Sequence, residues 1–448
     1  MDDARPIYAD SLAGDLPPDW EVHPLEDVVF FQEGPGIRNW QYVDDFDGVP
    51  FVNIRCLVNG SLDRDAMNKV SREEAMGKYS HFLLDKDDYV VSSSGTLGRL
   101  ASVKDSDLPC MLNTSVIRFR PRNQRVNRLF LKYFLLSRFY QQQILSFATG
   151  SAQLNYGPTH LRQMFIVVPP LTAQRAIASV LGSLDNKIEL NRRMNRTLEQ
   201  MAAAIFKAWF VDFEPVRAKA SGAASFPGMP QPVFDALPDS FTDSELGPIP
   251  EGWEAGCIGD IGKNRKDGIK PDEIDPETPY IGLEHMPKRS IALDAWEGAA
   301  KVTSNKSAFS RGEILFGKLR PYFHKVGVAP VDGVCSTDVL VVKPKADQWS
   351  AMLLGHLSSL DFVNYTDACS TGTKMPRTNW KDMSRYPIAV PPKPVAAEAT
   401  RLMGPIVEQI LSNIHESRTL AETRDVLLPK LLSGEVRVGE FAKETRCA

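Results

Sequence analysis

The sequence predicts an α+β chain made by duplication: two β-rich globular segments, each followed by a long helix. Three observations predict it. From Leu181 to Phe210, the residues Leu184, Ile188, Asn191, Asn195, Leu198, Ala202, Ile205 and Trp209 recur in steps of four and three, the seam of one helical face. The seam returns near the C-terminus, shifted by one constant offset, as Ile406, Ile410, Asn413, Ser417, Leu420, Arg424, Leu427 and Leu431, and Arg196-Thr197-Leu198 returns as Arg418-Thr419-Leu420. The same offset relates Thr149-Gly150-Ser151 to Thr371-Gly372-Thr373 and Pro169-Pro170 to Pro391-Pro392. A repeated helix preceded by a repeated globular segment is an architecture and not an accident of composition.

The elements follow in order. Residues to about Asp15 read as a disordered tail, and Leu16-Pro17-Pro18-Asp19-Trp20-Glu21 opens the first globular segment, residues 1–169. Short runs at Val28 to Phe31, Pro50 to Ile54, Asp88 to Ser92 and Val116 to Phe119, flanked by Gly, Asn, Asp and Pro, read as strands. Asn127 to Ser146 reads as one helix, with Leu129, Tyr133, Leu136, Tyr140 and Ile144 on one face. A strand at Phe165 to Val168 precedes Pro169-Pro170. The long helix occupies 170–212, starting at Leu171, in two pieces meeting near Gly182. Residues 213–246, rich in Pro, Gly, Ala and Ser, read as a linker. The pattern then restarts: a second β-rich segment over 247–391, a second helix over 392–434, and a tail from 435 to 448. Asn191, Asn195, Asn413, Ser417 and Arg424 put polar groups in mid-seam, where they weaken apolar packing but fix register.

Composition narrows the function. The chain has 448 residues, room for two or three domains. It lacks a run of about 18 apolar residues, so no membrane span is expected. The start MDDARPIYAD is acidic, without the apolar core of a signal peptide. Six cysteines without a CxxC pair fit reduced thiols in a cytoplasm, and seven unclustered histidines argue against a metal site. The net charge of −4 argues against a nucleic-acid partner on its face, but its distribution is uneven. From Leu108 to Leu184 there is no Asp or Glu, while Arg118, Arg120, Arg122, Arg125, Arg128, Lys132, Arg138, Arg162 and Arg175 all fall there. Such a stretch can bind phosphates locally.

Catalytic patterns fail. Gly312 to Lys318 has phosphate-loop spacing, but Leu319 replaces the hydroxyl that would bind magnesium, and the interior is apolar strand. There is no Asn-Pro-Pro-Tyr-like tetrapeptide, and no triad or carboxylate pair can be defended. The remaining candidates are for binding. Ser93, Ser94, Thr96 and Arg99 lie in a small polar loop, where backbone N–H groups can approach phosphates and Arg can pair with a guanine edge. Lys318, Arg320 and Tyr322 take the equivalent place in the second segment. Gln153, Asn155 and Tyr156 follow the first Thr-Gly, and Lys374 and Arg377 follow the second. Arg38, Asn39, Gln41 and Tyr42 form a further polar loop, with Lys263 and Arg265 as its rough counterpart. Met201, Phe206, Trp209, Phe210 and Phe213 exceed what one seam needs and are candidate partner contacts.

Nearly the whole chain resembles the specificity subunit of type I restriction–modification systems. The resemblance rests on VPPLTAQRAIASVLGSLDNKIELNRR from Val168, VPPKPVAAEATRLMGPIVEQILSNI from Val390, and the ending RDVLLPKLLSGEVRV from Arg424. After the Pro-Pro the chain departs from Pro-Leu-x-Glu-Gln, with Pro170-Leu171-Thr172-Ala173-Gln174 and Pro392-Lys393-Pro394-Val395-Ala396, which leaves the start of the second helix open. The resemblance implies two target-recognition domains, 1–169 and 247–391. It also implies that the helices form an antiparallel coiled coil with pseudo-twofold symmetry, its axis near Asn191 to Asn195 and Asn413 to Ser417. A helix of about 40 residues rises roughly 60 Å, against about 34 Å for a DNA turn. On this reading the chain is non-catalytic and reads a bipartite, asymmetric target in double-stranded DNA. Two modification subunits would bring S-adenosylmethionine and methylate adenine N6. Two restriction subunits would bring ATP and Mg. The chain itself would hold no cofactor. The rival readings are a duplicated protein-binding scaffold and the specificity part of a fused methyltransferase or nuclease.

Overall fold

A computed structural model describes residues 16–58, 60–148, 154–372 and 374–438. The chain forms two compact units: residues up to 186 with those from 421 onward, and residues 187–420. Each long helix therefore contributes one part to each unit.

In the first unit, Val116–Pro121 is flanked antiparallel by Val29–Glu33 and Tyr89–Ser92, with Leu100–Ser102 at the edge. A second sheet orders Met111–Leu112, Val49–Val52, Asn68–Val70 and Tyr42–Val43. Glu21–Pro24 pairs with Phe165–Val168 and closes the domain. The second unit repeats the plan. Val339–Pro344 lies between Gly262–Arg265 and Ile314–Gly317, and Glu254–Cys257 pairs with Pro387–Val390. Strands form where predicted because their side chains are buried: Phe51, Val52, Val90, Val91, Ile117 and Phe119 are inaccessible to solvent.

The helix expected from Asn127 to Ser146 is two helices, Arg128–Leu136 and Arg138–Phe147. Ser137 breaks it. Its backbone is extended, and its Oγ donates to Phe134 O at 2.6 Å and accepts Tyr140 N–H at 3.2 Å. Ser359, its counterpart in the repeat, does the same between Ser350–Ser358 and Leu360–Ala368, with His356 O and Phe362 N–H. A serine that ends one helix and caps the next needs no Gly or Pro.

The first long helix, Leu171–Phe210, is continuous through Gly182, not two pieces. Gly182 serves packing: a Cβ there would lie 3.0 Å from Leu129. The second, Lys393–Ser433, starts beside Pro392, and Pro394 falls in the first turn, where a missing N–H costs nothing. The predicted seams are the buried faces: Ile188, Asn191, Asn195, Ala202 and Trp209 on one helix, Ile410, Asn413 and Leu431 on the other. Within the second unit the two helices run antiparallel. Asn191 Nδ2 donates to Glu416 and Ser417, and Asn413 Nδ2 donates to Asn195 Oδ1 at 2.8 Å.

Residues 213–246 are not a linker. They form the helices Glu214–Ala220 and Gln231–Asp235, and a hairpin of Phe241–Ser244 with Gly247–Pro250. Phe213, Val216, Met229, Phe234 and Leu237 are buried in the second unit's core. Few large apolar residues are present, but these five are placed inward, and composition does not reveal placement.

Candidate nucleic-acid interface

In the first unit the strand Tyr89–Ser92 runs into a self-closed loop. Ser92 Oγ donates to Thr96 O at 2.6 Å and accepts Arg99 N–H at 2.9 Å. Gly95 and Gly98 take positive φ, and a Cβ on Gly98 would lie 2.2 Å from Gln141. Three neighbouring segments are bound to this loop. Ser93 N–H donates to Ser115 O, Tyr156 N–H donates to Ser93 O, and Ser94 bridges Asn155. Asn113 Oδ1 accepts Ile37 N–H at 3.2 Å and ties in the Arg38 loop. The fold thus gathers Arg38, Asn39, Ser94, Thr96, Arg99 and Asn155 into one loop cluster, all but half-buried Ser94 exposed.

The second unit repeats these bonds with other side chains. Lys318 N–H donates to Asp338 O, Thr378 N–H donates to Lys318 O, and Leu319 bridges Arg377. Arg320 N–H adds a bond to Pro376 O at 2.7 Å, and Arg320 adopts φ +51°. The offset of the repeat carries Asn155 onto Arg377 and Tyr156 onto Thr378. The scaffold is copied while the chemistry it carries changes, from two arginines among amide and hydroxyl groups to a set dominated by cations. Arg377 is held by Asp338 at 3.4 Å, Lys374 and Lys263 are exposed, and Tyr322 is half exposed against Phe323.

Several expected contacts are structural instead. Gln41 is buried, bonded to Arg38 N–H and Tyr79 Oη. Tyr42 packs on Phe51 with ring centroids 5.2 Å apart. Ser93 is buried and acts through its main chain. Tyr156 is buried beside Tyr140, where burial pushes both phenol pKa values up. Arg265 is held by Asp267, Glu313 and Ser310. Gln153 lies outside the described residues. Phe206, Trp209, Phe210 and Phe213 do not face outward: they are buried in their own unit, with Phe210 and Phe213 against Trp253. Met201, 48% exposed, remains available to a partner.

The acid-free stretch is largely neutralised by carboxylates from elsewhere in the sequence. Arg118 and Arg120 flank buried Asp88, Arg128 pairs with Asp87, Lys132 with Asp185, and Arg162 with Glu26. Burial raises the Asp88 pKa despite Arg120 and Arg118. Arg122, Arg125, Arg138 and Arg175 are exposed without an ion pair among the described residues. Among the described residues, no group of three or more His, Cys, Asp or Glu could hold a metal, and no helix is long and apolar enough to cross a membrane.

Residues 17–200 match the model of the type I restriction modification DNA specificity domain. Over its whole length the chain is similar to the type I restriction enzyme MjaIX specificity subunit of Methanocaldococcus jannaschii, at 24% identity over 97% of each chain. It is equally similar to the HindI specificity subunit of Haemophilus influenzae, at 24% identity over 93% of this chain and all of the relative. Along nearly its whole length the chain resembles the specificity subunits of type I restriction–modification systems. The model matched over residues 17–200 is that of a DNA specificity domain, so the resemblance points to recognition of a DNA target. The chain's fold matches the crystal structure of the S subunit from M. genitalium, with TM-score 0.52 and 14% identity over 93% of this chain and 96% of that one. In this fold, β-rich regions accompany two long helices packed together.

Proposed function

We propose that each unit reads one half of a bipartite, asymmetric target in double-stranded DNA through its paired loops. The reading residues are Arg38, Asn39, Ser94, Thr96, Arg99 and Asn155 in one half, and Lys263, Lys318, Arg320, Tyr322, Lys374 and Arg377 in the other. The observation that carries this is the repeated loop pairing: Ser94 with Asn155, and Leu319 with Arg377, on one hydrogen-bond scheme with different exposed chemistry. A copied frame carrying altered side chains is what independent reading of two unlike half-sites requires.

The same reading assigns the chemistry to partners. Two modification subunits carry S-adenosylmethionine and methylate one adenine N6 in each half-site, in the cytoplasm. Two restriction subunits use ATP and Mg. The domain limits follow the duplication, 1–169 and 247–391, with 170–212 and 392–434 between and after them.

The test exchanges residues 1–169 for those of another specificity subunit and sequences the host methylome. The expected result is a methylated motif altered in one half only. A motif altered in both halves would overturn the assignment. Loss of sequence-biased DNA binding by the parent complex at every salt concentration would leave only the scaffold reading.

A further inference from the structure

Two aromatic side chains of the first unit stand in solvent: Trp40 is 80% exposed and Phe46 is 93% exposed. Single exposed apolar side chains are common on protein surfaces, so exposure alone assigns neither a role, and their surroundings decide. Charge separates the two. Phe46 lies in Asp44-Asp45-Phe46-Asp47, a run that repels phosphate. Trp40 follows Arg38 and Asn39, both exposed and without a carboxylate among them.

The backbone turn that carries Trp40 is also held in place by its neighbours. Trp40 sits at the middle of the single turn Asn39–Gln41. Gln41 behind it is buried and accepts Arg38 N–H at 3.0 Å, while its amide donates to Tyr79 Oη at 3.1 Å and to Glu74 at 3.4 Å. Ile37 in front of it is buried and donates to Asn113 Oδ1. Asn113 belongs to the segment whose Ser115 O accepts Ser93 N–H, so this turn shares a frame with the loop cluster. An exposed ring on a fixed pedestal loses little conformational freedom when it stacks.

We infer that Trp40 is a specificity-determining residue that stacks on, or wedges between, bases of the half-site read by the first unit. Aromatic side chains do this through the π-face of the base, and insertion unstacks a base step and makes the energy depend on the sequence inserted into. The inference rests on the DNA-reading function of the cluster. It adds a residue that reads by stacking to residues that read by hydrogen bonds.

The experiment uses the full chain assembled with its modification subunit, and a duplex carrying the motif found in the host methylome. 2-Aminopurine is placed in turn at each purine of the half-site. For the parent, fluorescence should rise at one step on binding. Trp40→Ala should abolish that rise and weaken target binding by about tenfold or more, with binding of unrelated DNA changed much less. Trp40→Phe should restore most of both. If Trp40→Ala binds and fluoresces as the parent does, the inference is overturned. It is overturned as well if light scattering shows that the variant sheds the modification subunit, or if circular dichroism shows that it unfolds. A parent complex that fails to prefer the target duplex would instead sink the underlying DNA reading.

Discussion

Asp185 and Arg424 pair at 2.9 Å between the two long helices of the first unit. Lys132 and Tyr133 Oη bind the same carboxylate. The repeat relates Asp185 to Val407, Arg424 to Ala202, Lys132 to Leu354 and Tyr133 to Gly355. There the space is apolar, and Phe206 packs so closely on Gly355 that a Cβ would lie 2.1 Å from the ring. One duplicated site has thus diverged into a polar cluster and an apolar one.

Asp185→Ala should therefore destabilise the first unit. It leaves Lys132 and Arg424, mostly buried, without their shared partner. Breaking such a pair costs about 3–5 kcal/mol when fully buried, and the residual exposure of these groups reduces that to about 2–3 kcal/mol. Burial opposes ionisation of Asp185, but Lys132, Arg424 and Tyr133 outweigh it and hold the carboxyl below its usual range. Its contribution is present above the ordinary carboxylate pKa and is lost as pH falls through the depressed value. Urea unfolding at pH 7 and pH 3 should show the gap between parent and variant narrowing at the lower pH.

The polar middle of the seam has a different role. Asn195 and Asn413 bond to each other, and Gln409 Nε2 donates to Asn413 Oδ1. Asn195→Leu alone leaves buried Asn413 short of a partner, for about 1–3 kcal/mol of lost stability. The double substitution Asn195→Leu with Asn413→Leu should regain that and melt at or above the parent temperature. The double variant should then populate shifted helix registers, seen as a spread of distances between spin labels, because the groups that fix the register are gone.

The repeat was legible because Pro-Pro, Thr-Gly and the seam are local patterns, and so was the family resemblance. The break at Ser137 was not, since a serine that caps two helices looks like any serine inside one. Nor was the fate of the basic stretch: Asp85, Asp87 and Asp88 reach Arg118, Arg120 and Arg128 only through the sheet. The loops were legible as polar, but which members face inward depends on the alternation of a strand entering a turn. That alternation buries Ser93 beside half-buried Ser94, and Tyr156 beside exposed Asn155. Trp40 carried no pattern of its own, and its exposure together with the buried anchors of its turn singles it out only in the structure.

Arg377 and Arg265 give a contrast inside one unit. Arg377 is exposed and held by one carboxylate, whereas Arg265 is clamped by Glu313 and Asp267. Arg377→Ala should lower affinity for the target duplex by about 5- to 150-fold, with an unchanged melting temperature and relaxed bases in one half-site. Arg265→Ala should lower the melting temperature and leave the methylated motif unchanged.

His356 gives the second unit an acid sensitivity that the duplicated position of the first unit lacks. It is buried, its ring 4.8 Å from that of Phe206, and burial pushes its pKa down to about 3. The equivalent residue of the first unit is Phe134. In the unfolded chain a histidine protonates near pH 6.5, so a folded state that keeps it neutral loses stability as pH falls from about 6.5 toward 3. The loss at pH 5 is about 2 kcal/mol. His356→Phe borrows the residue already used at the duplicated position and removes the titrating group. Its unfolding free energy, followed by urea titration from pH 7 to pH 5, should fall by about 2 kcal/mol less than the parent's. Equal slopes in the two proteins would mean that the histidine is protonated in the folded state.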